Sequence, residues 1–209
     1  RSNTLCAVDL ASPQSARSLS LAPMALWPQN AGAEAMASLS GKGLAIIGET
    51  RDPAQGTHPL LWYHGDPADA EVHLTNMRYQ PPRGFKPADA AFLPDGRMIV
   101  INRRFRIDAG RATTLTIVPA FTPAEGQVLT GDTITEIANQ PLAANYEGIA
   151  IAPRAGGHTI WMVSDDNFSK PGRTMLLRLE LDDALPADAP MIAQPESPIA
   201  PVTRTAAAR

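Results

Sequence analysis

Residues 145–181 set the pattern that the rest of the chain repeats. They read Asn-Tyr-Glu-Gly-Ile-Ala-Ile-Ala-Pro, then His-Thr-Ile-Trp-Met-Val-Ser-Asp-Asp-Asn-Phe, then Arg-Thr-Met-Leu-Leu-Arg-Leu-Glu-Leu. Short apolar runs rich in β-branched and large residues, bounded by Pro, Gly and Asp, predict strands. Acidic residues fall at the ends of the first two runs, at Glu147 and at Asp165 and Asp166. A carboxylate at a strand end is displayed, whereas one in the middle would have to be buried or solvated on a face.

The same alternation predicts earlier elements. Residues 4–10 read as a strand and residues 15–27 as a strand or short helix. Residues 34–40 and 44–49, joined through Gly41-Lys42-Gly43, read as a hairpin, and residues 58–63 and 71–79 as two further strands around Gly65-Asp66-Pro67. A second hairpin spans residues 87–93 and 97–105 about the turn Pro94-Asp95-Gly96, followed by strands over 113–121 and 133–138.

Aligning these units exposes a repeat. Glu34, Asp89 and Glu147 each open a small-apolar strand, 55 and 58 residues apart, and each is followed by an apolar strand ending in a polar residue, at Glu49, Asn102 and Asp165. Four short strands per unit at such a period predict an all-β propeller, with about three blades here. A closed ring takes about 4 to 8 blades, so the expectation is a piece of a larger ring, with N-terminal blades missing or completed by another copy through its open edges. A β-sandwich with chance similarity among its hairpins is the alternative. The domain is expected over residues 1–181. Residues 182–209 hold five prolines and no aromatic residue, which predicts a disordered tail.

Composition narrows the function classes. A net charge of −3 without a Lys/Arg block argues against a nucleic-acid partner. No apolar run approaches the roughly 20 residues that span a bilayer, and the first residues lack a charged-then-apolar leader pattern. Cys6 is the only cysteine, which excludes an intrachain disulfide and a thiolate metal cluster.

Several short motifs, in order, resemble one family. Asn30-Ala-Gly-Ala-Glu-Ala-Met-Ala, Leu93-Pro-Asp-Gly, Asn102-Arg-Arg-Phe, Asn145-Tyr-Glu-Gly-Ile-Ala, Val163-Ser-Asp-Asp-Asn-Phe and Arg173-Thr-Met-Leu-Leu look like the signatures of bacterial phytase-like proteins with esterase-like activity. The resemblance covers residues 30–181. It implies a β-propeller, export from a Gram-negative cell to the periplasm or medium, and hydrolysis of phosphate esters. The chain departs from the family at Asn102 and at Lys170-Pro171-Gly172, where an acidic residue and a Gln-containing turn are more usual.

In a propeller, first strands line the channel, so Glu34, Asp89 and Glu147 would converge at one mouth, with Glu49 and Asp165 nearby. Converging carboxylates raise one another's pKa unless a cation neutralises them. Oxygen donors without Cys, and without His at ligand spacing, favour Ca²⁺ or Mg²⁺ over zinc, and calcium-dependent propeller phytases supply the analogue. The other reading is that these acids accept hydrogen bonds from backbone amides at strand ends. Arg103, Arg104 and Arg173 are candidates for clamping an anionic ester, because guanidinium forks match phosphate oxygens; surface ion pairing is the alternative. Asp166 and Asn167 read equally as turn caps, and His58, His64, His73 and His158 as strand or surface residues. No Gly-x-Ser-x-Gly elbow or Ser-x-x-Lys is present. The expected function is calcium-assisted hydrolysis of a small anionic ester at the channel mouth, with no identified side-chain nucleophile. The rival is a non-catalytic propeller that binds a ligand or partner there.

Overall fold

Strands form wherever the apolar runs are bracketed by turn residues. In the computed structural model, which describes residues 3–66, 73–138, 141–168 and 173–182, β1 (Leu5–Asp9) and β2 (Ser12–Leu19) pair as a hairpin. A 3-10 helix at Ala22–Leu26 follows, started by Pro23, whose fixed φ suits the first turn. Next, β3 (Ala33–Leu39), β4 (Gly43–Gly48), β5 (His58–His64) and β6 (His73–Tyr79) run as an antiparallel meander. A second meander comprises β7 (Lys86–Phe92), β8 (Met98–Arg106), β9 (Gly110–Val118) and β11 (Asp132–Ile137). Between its last two strands, β10 (Val128–Leu129) returns to pair in parallel with β6. The third sheet is β12 (Asn145–Arg154), β13 (Gly157–Asp165) and β14 (Leu176–Asp182).

The fold is thus all-β, with sheets curled into a half-barrel. First strands β3, β7 and β12 stand side by side, in that order. The two four-strand meanders match the expected units, while β10, an apolar pair too short to give a period, was not foreseen. Of the expected tail, residues 182–209, Asp182 ends β14 and residues 183–209 lie outside the described residues.

Period-two alternation on β8 makes the core continuous. Ile99 and Ile101 pack with Leu115, Tyr146, Ile160 and Leu179 toward the third sheet, while Met98 and Val100 pack with Ile47, Leu60 and Tyr79 toward the first. Burying each such side chain contributes about 1.5–3 kcal/mol, and β8 shares both clusters with its neighbours β7 and β9, so the second meander joins the other two sheets. A third cluster, with Leu5, Trp27, Ile46 and Tyr63, seats the N-terminal hairpin on the first sheet. Gly43 makes the tight turn into β4 at φ 148°, where a Cβ would collide with the carbonyl oxygen of Tyr63.

Two sequence expectations change here. Asn102 does not end its strand, because β8 continues to Arg106, and Asn102 is fully buried. The Tyr79 hydroxyl donates to Asn102 Oδ1 at 3.0 Å and lies 2.9 Å from Thr116 Oγ1, and the Asn102 amide donates to Thr116 Oγ1 and, at 3.2 Å, to Val100 O. That closed set satisfies polar groups inside the seam, and burial pushes the Tyr79 pKa up to about 12. Second, the strand register shifts at Glu34 in β3, at Ala88 in β7 and at Glu147 in β12. The counterpart of the two glutamates is therefore Ala88, and Asp89 is one residue out of phase. One residue in a strand turns the side chain to the other face.

Candidate functional site

The antiparallel meanders bring the starts of β3, β7 and β12 and the far ends of β4 and β8 to one end of the half-barrel. Five charged side chains gather there. Arg103 of β8 is central: its Nη2 lies 3.6 Å from Glu34 Oε2 and 3.5 Å from Glu49 Oε1. Its Nη1 donates to Glu147 Oε1 and, at 3.3 Å, to Asn145 Oδ1. Asn145 Nδ2 donates to the same Glu147 oxygen, and Lys86 Nζ lies 3.4 Å from Glu49 Oε1. One guanidinium is thus held by glutamates from three different strand ends, which fixes its plane as a single surface ion pair would not.

Burial pushes the Glu34 carboxyl above its ordinary value of 4.5; Glu49 adds to the rise, Arg103 opposes it, and Glu147 raises it further. The folded chain therefore binds this proton more tightly than the unfolded chain. Ionising Glu34 costs folding stability, and the cost appears as pH rises from 4.5 through the higher folded value and is absent below it. Glu34→Gln, which has no such proton, is expected to gain stability relative to the parent between about pH 4 and about pH 7. Urea unfolding midpoints at both ends measure the gain, and a constant difference between the two proteins would contradict it.

Beside this cluster opens a cleft of ≈ 450 Å³, whose lining among the described residues includes Lys86, Arg103, Arg104 and Arg111 against a single carboxylate, Glu49. Arg104 is steadied by Glu136 at 3.5 Å and by the Phe85 ring, 4.5 Å from its guanidinium carbon. Arg111 lies over Phe105 at 5.9 Å. A concave surface with four cations and one anion attracts an anionic ligand.

Of the residues expected from sequence, Glu34, Glu49, Glu147 and Arg103 come together, and Arg104 joins Arg103 at the cleft. Asp89 does not join them. Its Oδ2 accepts the Ile149 N–H at 2.8 Å and its Oδ1 the Ala90 N–H at 2.8 Å, so it ties first strands to one another. Asp165 pairs across the sheet with Asn145 and is exposed, with Oδ1 accepting the Asn167 N–H at 3.0 Å. Arg173 is exposed away from the cleft lining, and its carbonyl accepts the Ser164 hydroxyl at 2.8 Å. His58 is buried against Gly48 O at 3.1 Å, and burial lowers its pKa, which keeps the ring neutral. Lys86 and Arg111 were not singled out in the sequence, because an isolated cation in a strand carries no spacing signal.

The donor chemistry of the three glutamates suits a hard cation, but the geometry does not. The point on which they converge is taken by the Arg103 guanidinium, so a divalent ion there would have to displace it. Among the described residues, no group of three His, Cys, Asp or Glu is placed to hold a metal ion.

Neither the curated proteins nor the solved structures compared with this chain contain a match. A family model does match: the phytase-like model, described as esterase-like activity of phytase, covers residues 3–168, well over half of the 209 residues. With the ordered motifs, the all-β half-barrel and the basic cleft beside its carboxylate cluster, this chain belongs to the phytase-like family.

Proposed function

We propose that the chain is a hydrolase of small phosphate esters that seats their anionic group in the cleft at Arg103. One observation carries this reading: among the described residues four cationic side chains line a single cleft, and the central one is oriented by three carboxylates. The terminal N–H groups of Arg103 are taken by Glu147, Asn145 and Glu49, so it acts on the phosphoryl oxygens as a charge fixed in place beside them, which does not reorganise during the reaction. Lys86, Arg104 and Arg111 offset the remaining ester charge. Water attacks phosphorus, Glu49, the carboxylate among the described lining residues of the cleft, takes its proton, and the P–O bond to the alcohol breaks, that proton passing on to the departing oxygen. No side-chain nucleophile is required.

In this reading the three sheets are blades of a β-propeller whose channel is lined by β3, β7 and β12; their side-by-side order supports it. Trp161, Val163 and Leu176, exposed on the last sheet, form the surface for further blades or a second copy. Export to the periplasm or medium goes with the family, and no helix among the described residues is long and apolar enough to cross a membrane.

Calcium at Glu34, Glu49 and Glu147, displacing the Arg103 guanidinium, is the second reading. What favours it is charge, because three glutamates face only Arg103 and Lys86. When bound, the ion would neutralise ester charge. Turnover of p-nitrophenyl phosphate with and without a chelator separates the readings. Activity that persists in chelator is expected; its loss would favour calcium. Phosphate binding without turnover would make the cleft a binding module, and turnover of carboxylic esters alone would change the reaction class.

A further inference from the structure

We infer that the ester taken by this cleft is amphipathic, with its anionic group at Arg103 and an aryl or short alkyl alcohol portion packed on Phe105. The inference rests on the reading of the cleft as an anionic-ester site. Arg103 and Phe105 are two apart on β8, so their side chains leave the same face about 7 Å from one another. Phe105 lines the cleft yet is 69% exposed, the one aromatic ring among its described lining residues, and so offers apolar surface within reach of the cations there.

A cation fixes where that ring stands. Arg111, directly opposite Phe105 in the β8–β9 register, lies over its ring and orients it. An aryl phosphate spans about the Arg103–Phe105 spacing and removes the exposed part of that ring from water.

Calorimetric binding of two non-hydrolysable anions, phenylphosphonate and methylphosphonate, tests this on the full chain. They share a headgroup and differ in the apolar portion. The parent is expected to bind the phenyl compound about tenfold more tightly. Phe105→Ala should abolish that ratio while leaving methylphosphonate affinity within about twofold, Phe105→Leu should retain most of it, and Arg103→Ala should weaken both anions. Equal affinity of the parent for the two compounds, or a Phe105→Ala effect of the same size on both, would overturn the inference and leave the anion site standing. Failure of the parent to bind either anion would overturn the anion site and the inference with it.

Discussion

Arg103→Ala is expected to lower kcat/KM on p-nitrophenyl phosphate by about a hundredfold or more, the scale of losing a fixed donor to a charged transition state. Arg103→Lys should recover only a small part, because an ammonium restores charge without the planar fork that Glu34, Glu49 and Glu147 hold in place together. Stability should fall too, by about 2–3 kcal/mol at neutral pH, since three partly buried carboxylates would face one another with only Lys86 beside them. That deficit should shrink on acidification, because Glu34, whose pKa Arg103 lowers, takes up a proton more readily once the guanidinium is gone. A variant with activity within about threefold of the parent would remove Arg103 from the proposed chemistry.

Asp89→Ala should be the most destabilising single change among the acidic residues, at about 3 kcal/mol. Its carboxylate accepts N–H groups from Ala90 on its own strand, Ile149 on β12 and Met36 on β3, and so ties three first strands together. Removing it strands those donors in a seam that water reaches poorly, and each unsatisfied donor costs about 1–3 kcal/mol. Burial pushes the Asp89 carboxyl above its ordinary 3.8 despite the three backbone donors, so holding the charge is itself costly. Asp89→Asn, which keeps an acceptor and buries no charge, is expected to lose less than the alanine variant. Denaturant midpoints and hydrogen-exchange protection of the Ile149 amide measure the effect. A loss below about 0.5 kcal/mol with unchanged protection would make Asp89 an ordinary surface acid.

Asp89 also marks where the sequence stops being legible. The run Lys86-Pro-Ala-Asp-Ala-Ala-Phe aligns by eye with Ala33-Glu-Ala-Met-Ala and Tyr146-Glu-Gly-Ile-Ala. Small residues give little facing information, so nothing in it reveals that the shift falls on Ala88. The hairpin around Pro94-Asp95-Gly96, by contrast, was readable because turn chemistry is local. Its closing bonds, Leu93 N–H to Arg97 O at 2.8 Å and Gly96 N–H to Leu93 O at 3.0 Å, involve only neighbours.

The sequence by itself determined the all-β class, the four-strand units, and the family, because period-two alternation, turn residues and ordered motifs are local properties of a chain. Tertiary structure alone decided the roles of the charges. Whether Glu34 and Glu147 meet a metal or Arg103, and whether Lys86 and Arg111 share a cleft with Arg104, depends on side chains tens of residues apart meeting at one end of the half-barrel. Charge pairing falls off steeply with distance and acts only once strands are in register. Strand order and a one-residue shift therefore settle it, and neither is written in any short stretch of sequence.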